Sequence, residues 1–426
     1  MGDHQIEQLR IGGTVAPGFE SVKQLFEHNM RTLAEKNAQL CVYVGEERIV
    51  DLWASTTGDT DFNADSLVNV FSSGKSLESI ALASLVAKGL LDYNARITEY
   101  WPEFGAQGKD ELTVADLMRH EAGLAAFNVS LDPEDLLREN IKQNSVGRVI
   151  EGHGQTFRKG DRSRREYHAV TRGWIVNELF RRVDPGHRTI GEYLHEDVSS
   201  PLGADAVIGV QQHDLHRISA VSPLGFGFHF RESFKPRFMG RKVKENFFQL
   251  SGKLLRMLPS VRHGTTAGAP APIKDMKIES FNDAAVAMGE TPSANAHCSA
   301  RGLAHIAAAM ASGGQWKGTE ILSTQAWQAM HEAPVKRDMG IRTTFTQGGV
   351  AHFPETNAES TRLEHAANMG REGFYGWMGL GGSIFQWHPE KKIGFSFVPT
   401  SLHVLDVVNE RGKAYQAEIL KCLESN

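Results

Sequence analysis

Apolar residues recur along this chain at two spacings, and the switch between them outlines the fold. From Phe19 to Lys36 they fall at helical intervals (Phe19, Val22, Leu25, Phe26, Met30, Leu33), which predicts an amphipathic helix. Two short apolar runs follow, Gln39–Val44 and Arg48–Ala54, separated by Gly45-Glu46-Glu47, and they read as a hairpin. Ser76 through Lys88 returns to helical spacing (Leu77, Ile80, Leu82, Leu85, Val86) and stops at Gly89. Leu112–Leu124 opens on a capping threonine, Thr113, and closes on Gly123; Trp174–Phe180 reads as a further helix. Near the C-terminus Phe374–Phe385 reads as a strand rich in glycine, followed by a turn at His388-Pro389-Glu390, a return strand Ile393–Val398 and a last helix of roughly 405–423.

Chemistry enters at the start of the Ser76–Lys88 helix. Phe71-Ser72-Ser73-Gly74-Lys75 sets a serine three residues ahead of a lysine, and positions i and i+3 share a helix face, so the Lys75 amine can lie beside the Ser72 hydroxyl. To take a proton from serine near neutral pH the amine must be uncharged, which burial and neighbouring positive charge bring about. The ordinary alternative for the same spacing is a capping serine beside a solvated lysine.

The order of segments decides between them. Ser72-x-x-Lys75, then Gly89-Leu90-Leu91-Asp92, then Thr113-Val114 with His120 and Gly123-Leu124, strongly resembles the serine β-lactamase-related family, which includes class C β-lactamases, D-alanyl-D-alanine peptidases, esterases and acyltransferases. That resemblance implies an α/β fold, an antiparallel sheet flanked by helices with a mainly helical lobe, in one domain spanning 1–426. Residues 1–85 and 290–426 would form the α/β lobe and 86–289 the helical lobe, with the site in the cleft between them. It also implies two further motifs. Tyr167, before the Trp174–Phe180 helix, is the match for the family's tyrosine, a phenol able to relay the serine proton where Lys75 or other cations lower its pKa. Trp377-Met378-Gly379 is the match for the strand that edges the site.

On this resemblance Ser72 is the nucleophile, Lys75 and Tyr167 share the acid and base work, and the backbone N–H groups of Ser72 and Leu380 hold the oxyanion. Trp377, Met378 and Gly379 line the substrate. Two departures favour small esters over lactams and peptides. Ala169 stands where strong lactamases and peptidases usually carry asparagine, and Trp377 replaces a lysine or histidine that binds the substrate carboxylate. The expected activity is therefore a carboxylesterase or acyltransferase acting through an acyl-enzyme. β-Lactamase or D-aminoacyl peptidase activity is the alternative, and a non-catalytic scaffold that keeps the fold is another.

Other chemistries find less support. Asn69 stands where a phosphate-binding loop ending at Gly74-Lys75-Ser76 needs a glycine, no Gly-x-Ser-x-Gly elbow surrounds Ser72 or Ser383, and no His-Glu-x-x-His pair is present. Cys41, Cys298 and Cys422 are widely spaced and odd in number, which speaks against a disulfide framework or a cysteine metal site; neither a metal nor an organic cofactor is expected. His297 and Ser299 precede a helix, where Ser299 reads as its cap and His297 as a packed or loop histidine.

With 41% hydrophobic and 23% charged residues the chain has an ordinary globular composition, and a net charge of −5 gives no sign of nucleic-acid binding. Met1–Glu7 lacks a secretory signal pattern and free thiols suit the cytoplasm, the compartment expected here. Oligomeric state has no sequence signal. One region breaks the pattern: 228–263 carries nine Lys and Arg against Glu232 and Glu245, interleaved with phenylalanine and leucine, and ends in a Gly- and Pro-rich linker to Pro272. This basic insert, 228–272, reads as a solvated surface helix, a lid, or an amphipathic segment for a membrane or partner.

Overall fold

The computed structural model describes residues 9–157, 165–252, 268–339 and 341–425. Of the basic insert, Lys253, Leu254, Leu255, Arg256, Leu258, Arg262 and the linker start at 264–267 lie outside these residues, as does Met1–Glu7.

Nine antiparallel strands form the main sheet, numbered here in chain order: β1 Arg10–Val15, β2 Asn37–Val44, β3 Glu47–Ser55, β4 Val335–Asp338, β5 Arg342–Phe345, β6 Ala351–His352, β7 Tyr375–Met378, β8 Ile384–His388 and β9 Ile393–Pro399. Their order is β1-β3-β2-β9-β8-β7-β6-β5-β4, so the N-terminal hairpin closes one half and the C-terminal strands the other. The join is β2 with β9, in register from Val44 opposite Ile393 to Ala38 opposite Pro399. The apolar spacing of the first helix and hairpin is realised as a helix Glu20–Thr32 and the β2–β3 pair.

Both faces of the sheet are covered. On one, the Glu20–Thr32 helix and the last helix, Glu410–Ser425, bury Phe26, Met30, Tyr415 and Ile419 against Leu40, Phe395 and Phe397. On the other, the Ala300–Ala311 helix packs so close to β9 that a Cβ on Gly394 would meet the Ala308 nitrogen at 2.3 Å. Ser299 caps that helix, accepting from the Gly302 N–H at 3.0 Å, as its sequence predicts. The Lys75–Ala87 helix lies deeper and is buried all round, with Leu77, Ile80, Leu82 and Leu85 in the core it shares with the Thr171–Val183 helix. A helix apolar on every side belongs in an interior.

Two elements differ from their sequence reading. The Thr113-capped helix ends at Met118, five residues before Gly123, because His120 turns into the left-handed region at φ +64°. Gly123 does have positive φ, but its role is close packing: a Cβ there would sit 2.6 Å from the Phe157 carbonyl. The segment 374–385 is a tight hairpin, β7 then β8, broken by a turn at Leu380–Gly382 in which Gly381 takes φ +76°. What approaches these glycines is the protein itself. A Cβ on Gly379 would lie 2.1 Å from Ser383 Oγ and 2.2 Å from the Val70 carbonyl, which belongs to the chain entering Ser72.

Candidate active site

Asn69 and Phe71 shape the approach to Ser72. The Asn69 Oδ1 accepts the Phe71 N–H at 2.7 Å, and Phe71 is held at φ +48°, a strained conformation for a bulky residue. Its ring is buried edge-on against Phe281, with centroids 5.1 Å apart, so packing holds what the backbone disfavours. A single 3-10 turn, Phe71–Gly74, then carries Ser72 into the Lys75–Ala87 helix. Ser72 is left half-buried at the wall of a cavity of about 430 Å³.

Lys75 is wholly buried. Its Nζ donates to the carbonyls of Ala169 at 2.7 Å and Ser293 at 2.9 Å, and stands 3.3 Å from Ser72 Oγ. Burial pushes the ammonium well below the usual lysine range; Glu78 pulls it back up and Arg172 adds to the depression. The Tyr167 hydroxyl makes a close hydrogen bond with the same Ser72 Oγ. Ser72 and Lys75, three residues apart, thus meet Tyr167, 95 residues further on, at one oxygen.

Tyr167 differs from expectation in its electrostatics. Its phenol is pushed up to about 12, because burial outweighs the lowering by the Ser72 hydrogen bond and by Arg172. Cations do not make it acidic here; it is a neutral donor and acceptor. The loop holding it is pinned on both sides. Arg165 pairs with Glu121 at 2.8 Å and donates to the Thr343 carbonyl at 2.9 Å. His168 accepts the Leu124 N–H at 3.0 Å through Nε2, while its own N–H donates to His120 Nδ1 at 3.0 Å.

Beneath the trio lies a pair that sequence reasoning missed. Arg172 and Glu78, both fully buried, are 2.9 Å apart. Arg172 also donates to the Lys75 carbonyl at 3.2 Å and the Met118 carbonyl at 3.0 Å, and Ser293 Oγ donates to Glu78. The pair therefore ties the lysine's helix to the turn at 292–294, whose Ser293 carbonyl receives Lys75 Nζ. A signal was available: Glu78 is the one carboxylate in this largely apolar helix, and a buried carboxylate requires a partner.

Trp377 is buried in the site's wall. Its backbone N–H donates to Ser76 Oγ at 3.0 Å and its Nε1–H to the Gly349 carbonyl at 2.8 Å. The ring stacks on Phe345 at 4.9 Å and lies 5.7 Å from Lys75 Nζ. Indole therefore takes the place of charge and helps to dry the lysine. The β7–β8 turn is fastened by Ser383 Oγ donating to the Val70 carbonyl at 2.7 Å, and by Asn409 Nδ2 donating to the Ser383 carbonyl at 2.8 Å. Among the described residues, neither the Ser72 nor the Leu380 backbone N–H meets a protein acceptor.

The cavity itself is placed differently from a cleft between two lobes. Of the described residues that line it, Tyr167 alone comes from 86–289; Met378 to Gly381 form its floor, and the walls are β4, β5 and β6, the Arg362–Asn368 helix and the loop 404–409. These walls were not read from the sequence, because they are short strands and loops whose contacts with Ser72 cross more than 250 residues. His297 does not line this cavity; it pairs with Asn69 behind Ser72, buried with Nδ1 on the Asn295 carbonyl and held down to about 4 by burial. The three cysteines are free and buried, and no metal-binding cluster occurs among the described residues. No described helix is long and apolar enough to cross a membrane.

The site can be set beside known proteins. A curated relative, the esterase/beta-lactamase LipL of Mycobacterium tuberculosis, is 28% identical over 408 residues, covering 92% of this chain and 83% of the relative. A family VIII carboxylesterase of known structure superposes with a TM-score of 0.74 at 25% identity, covering 97% of this chain and all of that one. A penicillin-binding protein homolog from Caulobacter crescentus superposes at 0.72 with 24% identity over 97% of this chain and 100% of its own, a likeness of fold. The family model described as Beta-lactamase matches residues 22–418. The chain belongs to the beta-lactamase family and is a serine hydrolase.

Proposed function

We propose that the protein is a carboxylesterase working through an acyl-enzyme on Ser72, with small or apolar esters as substrates. The observation that carries this reading is Lys75, buried and depressed in pKa, 3.3 Å from the Ser72 hydroxyl that Tyr167 also holds. A neutral amine has two N–H groups and one lone pair. The carbonyls of Ala169 and Ser293 take the N–H groups, and the lone pair is left for the serine proton.

In the first half-reaction Ser72 Oγ attacks the ester carbonyl as its proton passes to Lys75. The tetrahedral oxyanion accepts hydrogen bonds from the Ser72 and Leu380 N–H groups. The C–O bond to the alcohol then breaks, and the leaving alkoxide takes a proton from Tyr167, whose phenol is reprotonated by the Lys75 ammonium beside it with the proton that came from Ser72. A phenol at about 12 serves this relay as a neutral group. Water, or an acceptor alcohol in acyl transfer, repeats the sequence in reverse and frees Ser72. No metal or organic cofactor is called for in these steps.

The apolar wall supports esters over β-lactams or D-aminoacyl peptides, since Trp377 offers no cation to a substrate carboxylate and Ala169 no amide to an acylamino chain. The names of LipL and of the family VIII carboxylesterase agree with this choice. Three free, buried thiols fit residence in the cytoplasm.

The test is mass spectrometry of the intact protein after a fluorophosphonate, alongside hydrolysis of p-nitrophenyl acetate and butyrate. A single adduct on Ser72, with turnover lost in Ser72→Ala, is expected. A folded protein that takes no adduct and hydrolyses neither ester overturns the reading in favour of a scaffold, and rapid turnover of nitrocefin with none of the esters would favour the β-lactamase alternative.

A further inference from the structure

Six of the ten large apolar side chains exposed among the described residues lie in one stretch, 226–248. The helix Phe226–Ser233 sets Phe226 and Phe230 four residues apart on one stripe, and Phe234 continues it. Phe226 and Phe230 stack at 5.9 Å, Phe230 meets Phe234 at 4.9 Å, and Phe234 stacks on Phe247 at 4.4 Å, so the rings form a continuous patch. Phe238 is 89% exposed and Phe248 83%. A soluble surface does not ordinarily leave so much contiguous aromatic area in water.

Charge identifies what such a patch fits. Between 226 and 248 stand Arg231, Lys235, Arg237, Arg241, Lys242 and Lys244 against Glu232 and Glu245, in a chain whose net charge is −5. Glu232 is taken up by Lys235 at 2.6 Å and by the Lys242 N–H at 3.2 Å, which leaves the excess positive. Aromatic rings beside guanidinium and ammonium groups match the two layers of a bilayer surface, acyl chains below and anionic headgroups above.

The same stretch is bolted to the rim of the catalytic cavity. His229 stands edge-on to His403 at 5.3 Å, and the strand Ser401–His403 leads directly into 404–409, one wall of the cavity. Lys244 Nζ donates to the Glu410 carbonyl at 3.0 Å, just beyond that wall. Two of the remaining exposed apolar side chains, Leu380 and Val407, line the cavity itself.

We propose that the aromatic and basic face of 226–248 docks the protein on membranes rich in anionic lipid, and so brings esters dissolved in the bilayer to Ser72. The docking stands on the surface alone; only the identity of what is hydrolysed rests on the esterase reading. Hydrolysis follows the acyl-enzyme steps above.

Sedimentation of the full chain with phosphatidylcholine vesicles containing phosphatidylserine, against pure phosphatidylcholine, tests this directly. Ser72→Ala is used for binding, so that turnover plays no part. Binding to the anionic vesicles is expected, reduced by high salt and lost in Phe238→Asp/Phe248→Asp. Arg231→Ala/Arg237→Ala should weaken it about thirtyfold, the equivalent of roughly 2 kcal/mol for two surface cations. Circular dichroism reports that these variants remain folded, and with Ser72 restored their hydrolysis of a vesicle-borne ester should fall with binding while that of soluble p-nitrophenyl acetate does not. Equal sedimentation of native and variant proteins overturns the proposal. So does a concentration-dependent dimer in analytical ultracentrifugation that Phe238→Asp dissociates, since the patch would then meet a second copy. Vesicle binding by a protein that cleaves no ester would sink the esterase reading and leave the docking in place.

Discussion

Lys75 Nζ lies 3.3 Å from Ser72 Oγ while its two shorter hydrogen bonds, 2.7 and 2.9 Å, go to main-chain carbonyls. Carbonyls accept and never donate, so they fix the two amine protons and direct the remaining valence at the serine. A lysine arranged in this way accepts a proton only when uncharged, and burial lowers its pKa in that direction.

Activity should therefore fall on the acid side as Lys75 gains a proton, and kcat/KM should follow a single ionisation there. Glu78 favours the charged lysine, so Glu78→Gln is expected to move this limb to lower pH. The same change strands Arg172 in the interior and should destabilise the fold by about 3–5 kcal/mol. A pH–rate profile that does not move, in a variant shown by urea melts to be weakened, would separate Glu78 from the lysine's ionisation.

Stability carries the same signature. Because the folded pKa of Lys75 lies below its ordinary value of 10.5, the unfolded chain holds the extra proton in the window between them, and stability gained from this group rises with pH there. Lys75→Met removes that dependence. The stability difference between the variant and the native chain should shift toward the native chain as pH rises to 10.5, by up to about 1.4 kcal/mol per pH unit. Urea unfolding at two alkaline pH values measures it.

Tyr167→Phe keeps the ring packed against His120 at 5.1 Å and removes only the hydroxyl. Turnover of p-nitrophenyl butyrate should fall by roughly a hundredfold or more while the fold is retained, since positioned proton transfer contributes on that scale. Its loss should be smaller for esters with more acidic leaving alcohols, which need less help on departure. An equal loss across leaving groups would place Tyr167 outside the proton path.

Asn409 clasps the β7–β8 turn through the Ser383 and Gly379 carbonyls, at 2.8 and 3.3 Å, without lying in the proton path. Asn409→Ala should cost about 1 kcal/mol of stability for the two hydrogen bonds it removes, since the Ser383 and Gly379 carbonyls keep the Gly379 and Gly382 N–H groups as partners. If the Leu380 N–H stabilises the oxyanion, kcat should drop with little change in KM. A rise in KM alone would point to a role in substrate binding. Gly379→Ala is the severe companion: its Cβ would collide with Val70 and Ser383, and loss of soluble protein or of activity is expected.

Much of the scaffold was written in apolar periodicity: the Glu20–Thr32 helix, the β2–β3 hairpin, the Lys75–Ala87 helix and the cap at Ser299. Those are local features, and each occupies fewer than twenty residues. The order of motifs points to Ser72, Lys75 and Tyr167. It does not point to what supports them, because Ala169 and Ser293 act through their carbonyls and a backbone atom leaves no mark in residue identity. Trp377 lies in the cavity wall, but its contact with the Gly349 carbonyl and its stacking on Phe345 depend on loops whose pairing no periodicity encodes. The raised pKa of Tyr167 is hidden in the sequence for a related reason, since the cations nearby are visible there and the degree of burial is not.

The division of labour around the cavity has a consequence for how such a protein changes over time. Ser72, Lys75 and Tyr167 are rooted in a packed helix and a pinned loop, whereas the walls that would touch an acyl group belong to peripheral strands and to the loop 404–409. Substitutions at Met339, Ile341 or Val407 alter the size and greasiness of the chamber without disturbing a single proton-transfer contact. Substrate preference can thus drift, or be bred in the laboratory, while the reaction itself stays the same.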